Sequence, residues 1–515
     1  MTVSPVEEGR SGRPQAVRAV AVRGGRIAAL GASAGEVRRA APAGSEVLAF
    51  PGGFVRPGFW DTHLHIARTG AAALRGPLLY EARSVAEIVE RLAEFAGRHP
   101  ELPAVVARAG CLDGRVLAEG RLPETADLDR AESRRPVVIA DVNKTIANGA
   151  ALAAAGLAPG GGPLRFEAGR ALHDRFVPRG LPGAYAESFA AGTRLLASRG
   201  VTCAVDGGAR VAAIEDVRRL DAEGRLGCRA ILAPATSWDG DLEDFQASRH
   251  EFGEELGPLS RVGPAKLFYD LFAMHRSAAM YRPYPGEPDN RGRYKVGPEG
   301  LRLRLGLARE RGFPVAVHVT GDRGAAEGAA LIEEEGFGAP GPLAGRSFLI
   351  HAYFPPPGLV EKVRDLGLGI AAQPVFLRHW AEGLEDLLGP ERAVDFNPLD
   401  EYLAAGVAVA AGSDAPICDP GPLAGVHAMV TRRSLSGRVW GARHALSRAQ
   451  ALDLCSGSAA RLFAWSGFPG GLAVGAPADF TVLDRDLETC ADDEIPGARV
   501  LATYVAGRET YRAQS

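Results

Sequence analysis

Two histidines in the segment Asp61-Thr62-His63-Leu64-His65 are spaced for joint chemistry. They end a short apolar run that begins at Phe59 and has the composition of a β-strand. On a strand, residues i and i+2 project to the same side, so both imidazoles can face one metal ion. Because an isolated pair of this kind is often coincidental, the prediction of a metal site depends on further ligands elsewhere in the chain.

Four more side chains of suitable chemistry lie in or just after later apolar runs: Lys266, His318, His351 and Asp414. Imidazole and carboxylate ligands suit Zn²⁺, and on ligand type alone Fe²⁺, Mn²⁺, Co²⁺ or Ni²⁺ would also fit. A bound divalent ion lowers the pKa of water towards about 7, and Asp414 could carry the proton from that water to a leaving amine. We therefore predict a hydrolytic centre of one or two ions, with Asp414 as its catalytic group and with the metal ligands His63, His65, Lys266, His318, His351 and Asp414.

Lys266 permits two interpretations. Its neighbours in residues 262–270 are mostly apolar or small, and burial among them would favour the neutral amine. A neutral amine between two cations can take up carbon dioxide and become a bridging carbamate. The alternative is an ordinary charged lysine, for example one paired with Asp270, and the sequence leaves both open.

The elements that must position these residues alternate strands with helical segments through the middle of the chain. Eight apolar runs have strand character, namely residues 59–63, 201–206, 229–233, 265–269, 314–319, 347–351, 368–373 and 407–412. This order favours an α/β fold with a closed (β/α)8 TIM barrel over an open doubly wound sheet, for which no GxGxxG or GxxxxGK[ST] turn is present. The metal-site residues would then meet at the C-terminal face of the barrel.

The two ends of the chain and one long insertion complete the predicted architecture. Strand-like runs at 16–22 and 26–30 flank Gly24-Gly25, and others occur at 478–483 and 500–505. We expect residues 1–55 and 470–515 to pair into a composite β-sandwich. Residues 56–69 and 191–469 would form the metal-dependent hydrolase barrel, and residues 70–190 an inserted α/β subdomain with a helix at 85–99 and strands at 104–109 and 136–141.

The composition narrows the class of protein. With 46% hydrophobic and 23% charged residues the chain resembles an ordinary globular enzyme. A net charge of −3 argues against nucleic acid or an anionic membrane surface as a partner, and the sequence lacks a membrane span and a secretory h-region. Six cysteines without a CxxC pair favour free thiols. We expect a cytoplasmic enzyme for a small-molecule substrate, with a homodimer left open.

Residues 57–65, Pro-Gly-Phe-Trp-Asp-Thr-His-Leu-His, resemble the PGFxDxHxH signature of the amidohydrolase superfamily. Further segments narrow the resemblance to amidohydrolase family 3, the YtcJ-like branch that includes N-substituted formamide deformylase; they are residues 266–270, 317–323, 373–374, 412–416 and 475–480. The resemblance covers almost the whole chain. It implies a barrel with a composite β-sandwich, hydrolysis of amide or related C–N bonds by metal-activated water, Lys266 as a carboxylated bridge and Asp414 as the proton shuttle.

Several positions depart from the family pattern. Asn143 replaces a histidine, Leu271 replaces a glycine, Ile350 replaces a glutamate, and residues 110–113 (Gly-Cys-Leu-Asp) replace a Gly-Trp-Asp-like segment. We therefore expect the family's reaction class with a substrate different from the formamides. The polar side chains predicted to contact this substrate are Asp113, Asn143, Asp270, Arg276, Asp322 and Gln373.

The leading hypothesis is a metal-dependent amidohydrolase that cleaves an amide, formamide or cyclic amide. The alternative is a one-metal deaminase of an aromatic or guanidine-like amine, in which Lys266 would stay a free amine. A non-catalytic binding protein on the same fold is a third class, and the presence of His63, His65 and Asp414 argues against it.

Overall fold

The computed structural model describes residues 17–41, 44–158, 160–176, 184–238, 240–339, 341, 343, 345–463 and 470–514 of the 515-residue chain. Residues 1–14, Ala16 at the start of the first expected strand, and residues 177–183 of the expected insertion lie outside the described residues.

The described residues contain nineteen strands, which in chain order are β1 (Ala19–Arg23), β2 (Arg26–Gly31), β3 (Phe54–Pro57), β4 (Phe59–Leu64), β5 (Val105–Ala109), β6 (Val137–Asp141), β7 (Lys144–Ala147), β8 (Leu164–Arg165), β9 (Val201–Ala209), β10 (Arg229–Pro234), β11 (Ser260–Val262), β12 (Ala265–Phe268), β13 (Val315–Val319), β14 (Phe348–His351), β15 (Gly369–Ala372), β16 (Val409–Ala411), β17 (Phe480–Leu483), β18 (Val500–Val505) and β19 (Arg508–Arg512).

The α-helices of the described residues span Ala34–Arg38, Ile66–Arg75, Val85–Arg98, Thr125–Ala131, Gly149–Ala154, Phe166–Phe176, Tyr185–Ser198, Val211–Ala222, Asp241–Ala247, Gly297–Glu310, Asp322–Glu334, Leu359–Asp365, Val375–Leu388, Pro390–Ala393, Leu399–Ala404, Pro422–Thr431, Arg448–Leu454 and Gly457–Phe463. Short 3₁₀ turns occur at Gly114–Val116, Ala273–His275, Ala442–His444 and Asp492–Glu494.

Parallel strands in chain order form the centre of the molecule. In the described part of the chain they make two sheets, β4-β9-β10-β11 and β12-β13-β14-β15-β16. A bridge between Ala235 and Lys266 links the end of β10 to β12. At the other side, the Asp414 N–H donates to the His63 carbonyl oxygen over 2.7 Å, which connects β4 to the loop after β16. All eight strands predicted from the sequence are present in this mixed α/β fold.

Burial explains why these strands have such uniformly apolar sequences. Every residue of β4, β10 and β12 to β16 is buried, as expected of parallel strands that are covered on both faces. One apolar cluster gathers side chains from seven strands; its strand members are Trp60, Cys203, Val205, Ile231, Ala316, Phe348, Ile350, Ala371 and Ala410. Buried polar side chains are few in these strands, and Lys266 of β12 is one of them.

Strands from both ends of the chain share one small sheet. Its order is β19-β18-β17-β3, all antiparallel, so the segment just before β4 pairs with the C-terminal region. The hairpin β1-β2 joins this region through a bridge between Arg26 and Pro477. Ile27 and Phe480 pack in one apolar cluster there, which buries the hairpin against the sheet.

A separate sheet lies in the stretch between β4 and β9. Its order is β5-β6-β7-β8, and the helix Val85–Arg98 packs its buried face against β5 in a distinct apolar cluster. The Ser84 hydroxyl caps this helix by accepting from the Glu87 N–H over 3.0 Å. The helix and the two strands expected at 85–99, 104–109 and 136–141 are all present.

Two global properties follow from the described residues. No helix among them combines the length and the apolar composition that a membrane crossing needs. The six cysteines are free thiols.

Candidate metal centre

His63 lies near the end of β4 with its ring against Gly207 of β9. A Cβ atom on Gly207 would come within 2.1 Å of His63 Cε1, so a larger residue cannot stand there without moving the ring. The His63 N–H donates to Asp61 Oδ1 (3.2 Å), and Ser413 donates to the same carboxylate from its N–H (3.0 Å) and its hydroxyl (2.5 Å). Asp61 therefore ties the end of β4 to the loop after β16, a role that the sequence did not assign to it.

Asp414 completes a group of three ligand-type side chains with His63 and His65. Asp414 Oδ1 is 3.6 Å from His63 Nε2 and 3.4 Å from His65 Nε2, and one ligand atom of each residue lies within 4.8 Å of the others. Asp414 has a left-handed φ of 56°, which is strained for a residue with a Cβ and is typical of functional sites. Its Oδ1 is buried and has no hydrogen-bond donor among the described residues.

His318 and His351 form the second half of the site. His318 Nδ1 is 2.9 Å from His351 Nε2. The other nitrogen of each ring faces an acceptor, since His318 Nε2 donates to the Leu271 carbonyl oxygen (3.2 Å) and His351 Nδ1 to Gln373 Oε1 (2.5 Å). A neutral imidazole carries one N–H, so these bonds leave lone pairs on the two nitrogens that face each other. Two such lone pairs repel unless a cation lies close to both, and this pair is therefore prepared to ligate a metal.

The position of His351 depends on a break in β14. Ile350 packs in the interior apolar cluster, so regular strand alternation would point its neighbour His351 to the opposite side. His351 instead has a φ of 78°. Its ring centroid is 5.5 Å from that of His63 and 4.5 Å from that of His318. Ile350, at which the sequence departs from the family pattern, packs in the interior apolar cluster and is the register partner of His318.

Lys266 extends from β12 into the same space. It is 1% exposed, and its Nζ has no hydrogen-bond partner among the described residues. Lys266 Nζ lies 4.6 Å from the centroid of the Phe268 ring. Burial lowers the pKa of Lys266, and Asp414 opposes that shift. The amine is thus held in surroundings that favour its neutral form.

All four histidines are held neutral by their surroundings. Burial lowers the pKa of each well below 6.5, and nearby positive charge, including that of Lys266, lowers it further. Burial has the opposite effect on Asp414, whose pKa it raises while Lys266 opposes the shift. Neutral imidazoles have the lone pairs that metal ions need, so the electrostatics agree with the geometry.

Asp270 and Gln373, both predicted to contact substrate, are fully buried and have partners in the protein. Asp270 accepts from three backbone N–H groups, those of Ala279 (3.1 Å), Thr320 (2.9 Å) and Gly321 (2.8 Å). Burial raises the pKa of Asp270 to about 7 despite these donors. No recorded ion pair joins Asp270 to Lys266 among the described residues, in contrast to one interpretation of that lysine.

The other four candidates for substrate contact are each engaged by a neighbour: Asp113 by the Arg115 N–H (2.9 Å), Asn143 by Lys144 Nζ (3.0 Å), Arg276 by Glu287 (2.8 Å) and Asp322 by the Tyr281 N–H (2.8 Å). Their contact with a substrate stays a prediction.

Two further groups of the site went unnoticed in the sequence. Tyr353 Oη lies 2.8 Å from His351 Nδ1, and the i, i+2 spacing of these residues could have indicated it. The Leu271 carbonyl that orients His318 is a backbone group, so no residue type signals it.

The donor set fits a divalent metal ion. Three observations support the fit: neutral histidines, an unpartnered and buried oxygen on Asp414, and two facing imidazole lone pairs. Neutral imidazole nitrogen and carboxylate oxygen are the ligand types found in catalytic zinc sites. The site therefore has the chemistry to hold at least one ion.

The chain is similar to known proteins over most of its length. The sequence model of the amidohydrolase family matches residues 47–511. The chain is 27% identical over 526 aligned residues to Protein LONG AFTER FAR-RED 3 of Arabidopsis thaliana. The alignment covers 96% of this chain and 88% of that protein. It is 26% identical over 541 aligned residues to N-substituted formamide deformylase of Arthrobacter pascens, with 96% and 95% covered.

Solved structures show the same fold. A metal-dependent hydrolase from Pyrococcus horikoshii is similar to this chain with a TM-score of 0.68 and 22% identity, over 92% of this chain and 94% of that one. At such identity the likeness concerns the fold alone, which is the mixed α/β fold of metal-dependent hydrolases.

Proposed function

The chain belongs to the amidohydrolase family, and from this premise we propose that it cleaves a C–N bond of a small amide, formamide or cyclic amide by metal-activated water. Family membership makes the chain a hydrolase of C–N bonds other than peptide bonds. The observation that carries the proposal is the meeting of His63, His65 and Asp414, with an unpartnered carboxylate oxygen at its centre.

We propose that the two parallel sheets close into a (β/α)8 barrel with this site at its C-terminal face. The chain order of the strands supports closure, as do the bridge from Ala235 to Lys266 and the hydrogen bond from Asp414 to His63. The apolar cluster drawn from seven strands is what a filled barrel interior requires. The terminal strands would then make the composite β-sandwich, and residues 70–190 the inserted subdomain.

The same residues suggest two Zn²⁺ ions. His63, His65 and Asp414 would hold one, and His318 and His351 the other. Lys266 would bridge them as a carbamate, formed when its neutral nitrogen bonds to the carbon of carbon dioxide and releases one proton. An unpartnered, desolvated amine beside both groups of ligands supports this step.

Asp414 is the proton carrier in this proposal. A divalent ion, when bound, supplies acidified water and polarises the substrate carbonyl. The Asp414 carboxylate oxygen that does not hold the ion, Oδ2, would take the proton from the attacking water and return it to the leaving nitrogen. Burial favours the uptake of the proton, because it raises the pKa of Asp414 and so makes the carboxylate a better base than an exposed one.

The neighbourhood of the site supports a substrate of little charge. Arg276 is paired with Glu287, and Asp113 with Arg115. Asp270 is occupied by backbone donors. Each of these charges is compensated within the protein, so none is left to balance a strongly charged ligand.

Metal analysis combined with a substrate panel tests the proposal. The protein would be reconstituted with Zn²⁺, its metal content measured by elemental analysis, and amine release assayed on a simple amide, an N-substituted formamide, a cyclic amide and an aromatic amine. We expect two ions per chain and turnover of amide-type compounds. One ion per chain with ammonia release from the aromatic amine alone would replace the proposal by the deaminase alternative.

Two variants supply the control. His63→Ala should lose metal and turnover together, because it removes a ligand. His250→Ala removes a histidine that pairs with Glu254 outside the site, and it should leave both unchanged. A fully metallated and active His63→Ala protein would rule out this metal centre.

A further inference from the structure

We infer that Gln373 is a positioning residue that fixes the tautomer of His351 and thereby controls the affinity of the ion held by His318 and His351. The inference rests on the proposed metal centre and deepens it. The sequence had suggested Gln373 as a substrate contact. Its contacts in the structure point to a different task.

The amide of Gln373 has a fixed orientation. Its Nε2 donates to the Ala371 carbonyl oxygen over 3.0 Å, which turns Oε1 towards the His351 ring. Oε1 accepts from His351 Nδ1 over 2.5 Å. Because the Gln373 side chain is fully buried, water does not compete for either group. Both ends of the amide are therefore used within the protein, and neither is left for a substrate.

A second layer of contacts holds Gln373 in place. The Gln373 backbone carbonyl accepts from Asn397 Nδ2 over 3.1 Å. Asn397 has a left-handed φ of 58°, and its own carbonyl accepts from the buried Arg432 guanidinium (3.2 Å). A strained residue persists only where its surroundings determine it strongly. The support behind Gln373 is thus rigid rather than incidental.

The chemical consequence concerns the position of one proton. An acceptor at Nδ1 keeps the proton on that nitrogen, and Nε2 then has the lone pair that faces His318. If that acceptor were lost, the tautomer with the proton on Nε2 would become accessible. In that form His351 presents an N–H, not a lone pair, to the ion.

The two histidines of the pair are controlled in different ways. His318 is oriented by the Leu271 carbonyl, a backbone group that no side-chain substitution removes. His351 is oriented at Nδ1 by side chains, the Gln373 amide oxygen (2.5 Å) and Tyr353 Oη (2.8 Å), and of these the amide oxygen can act only as an acceptor and can be removed by substitution. Among the described residues, no hydrogen bond joins Gln373 to His63, His65 or Asp414. A change at Gln373 should therefore act on one ion and spare the other.

Zn²⁺ titration of the metal-free protein in competition with a chelator tests the inference. Outer partners of this kind typically contribute about 10- to 100-fold to metal affinity. For Gln373→Leu we expect one of two equivalents to bind about 10- to 100-fold more weakly, with the other unchanged. Gln373→Glu keeps an acceptor at the same place and should restore tight binding of both. The absorption spectrum of the Co²⁺-loaded protein should change for Gln373→Leu and not for Gln373→Glu.

Gln450→Leu is the matched control, since Gln450 is an exposed residue that caps the helix Arg448–Leu454. It should leave both affinities at the wild-type values. If wild type binds two ions and Gln373→Leu binds both equally well, the inference on Gln373 fails while the proposed centre stands. If Gln373→Leu does not fold, weak binding of one equivalent by Gln373→Glu overturns the inference by itself. Fewer than two ions in wild type overturns both the two-ion centre and the role of Gln373.

Discussion

In two places of this protein a buried lysine lies near a buried aspartate. The two places differ in how many hydrogen bonds and ion pairs the charged groups make. In the inserted region, Lys144 Nζ lies 2.9 Å from Asp141 Oδ2 and 3.0 Å from Asn143 Oδ1. Asp141 also accepts from the N–H groups of Cys111 and Leu112, both over 2.7 Å. Burial lowers the pKa of Lys144, yet Asp141 and its neighbours raise it more, so that the net shift is upward.

The metal centre shows the opposite arrangement. Lys266 Nζ and Asp414 Oδ1 are both buried, and neither has a hydrogen-bond partner among the described residues. Burial dominates both, lowering the pKa of the lysine and raising that of the aspartate. The charged groups of Lys144 and Asp141 stabilise the fold and are hydrogen-bonded. Those of Lys266 and Asp414 would contact a ligand and lack a protein partner, which lowers the stability of the ligand-free protein.

The largest expected effect is on turnover, which should fall when Asp414 is replaced but not when Asp141 is replaced. Asp414→Asn removes the proposed proton carrier and should lower turnover by about 10²- to 10⁴-fold, with the metal content nearly intact because His63 and His65 remain. Asp141→Asn should leave the turnover of the folded protein unchanged. Steady-state rates and elemental analysis of both variants measure this, and an Asp414→Asn protein with normal turnover would remove Asp414 from the mechanism.

Replacing Lys144 and replacing Lys266 should change the free energy of unfolding in opposite directions. Lys144→Met leaves the buried Asp141 carboxylate without its ion partner, which typically costs about 3–5 kcal/mol of unfolding free energy. Urea unfolding of the metal-free protein measures it. A loss below about 1 kcal/mol, the usual value for an exposed pair, would mean that the pair is not truly buried.

Lys266→Met should stabilise the metal-free protein. The variant removes a buried polar group that has no partner, and such a group costs about 1–3 kcal/mol. We expect a gain of that order in the same urea experiment, together with loss of turnover. A destabilisation as large as that of Lys144→Met would show that Lys266 is paired and would break the comparison.

The smallest expected effect is on the acid dependence of stability, and it concerns Asp127 of the inserted region. Hydrogen bonds from Arg121 lower the pKa of Asp127 to about 2 from its ordinary 3.8. A lowered pKa in the folded state means that the ionised group stabilises the fold above about pH 4 and that this stabilisation is lost as the pH falls towards 2. Asp127→Asn should therefore flatten the acid dependence of unfolding in that window, measured by denaturation at pH 4 and pH 2.

Much of the fold and of the metal centre could be predicted from the sequence. Buried parallel strands have continuous apolar sequences, so the eight strands and the polar residues that end them stood out. The candidate ligands were visible because His63 and His65 share a strand face, His318 lies near the end of another strand and Asp414 follows a further one. Membership of the amidohydrolase family, expected from residues 57–65, is confirmed by the match over residues 47–511.

The orientation of the site could not be predicted in the same way. Strand alternation would have pointed His351 away from the centre, and the positive φ that redirects it leaves no mark in the residue type. The Leu271 carbonyl is equally invisible, because any residue supplies one. Gln373 was noticed, but its chemistry fits a substrate contact and a histidine partner equally well, and only its neighbours distinguish them.

The hydrogen bond between the Asp414 N–H and the His63 carbonyl has a consequence for protein synthesis. His63 leaves the ribosome early and Asp414 late, with most of the chain between them, so the two meet only after nearly the whole polypeptide has been made. A nascent or truncated chain that ends before Asp414 has His63 and His65 but lacks the carboxylate that completes their group, and it gains less from the ion. Metal uptake should therefore mark the completion of folding, because an ion that binds the native state alone adds its binding energy to the finished molecule.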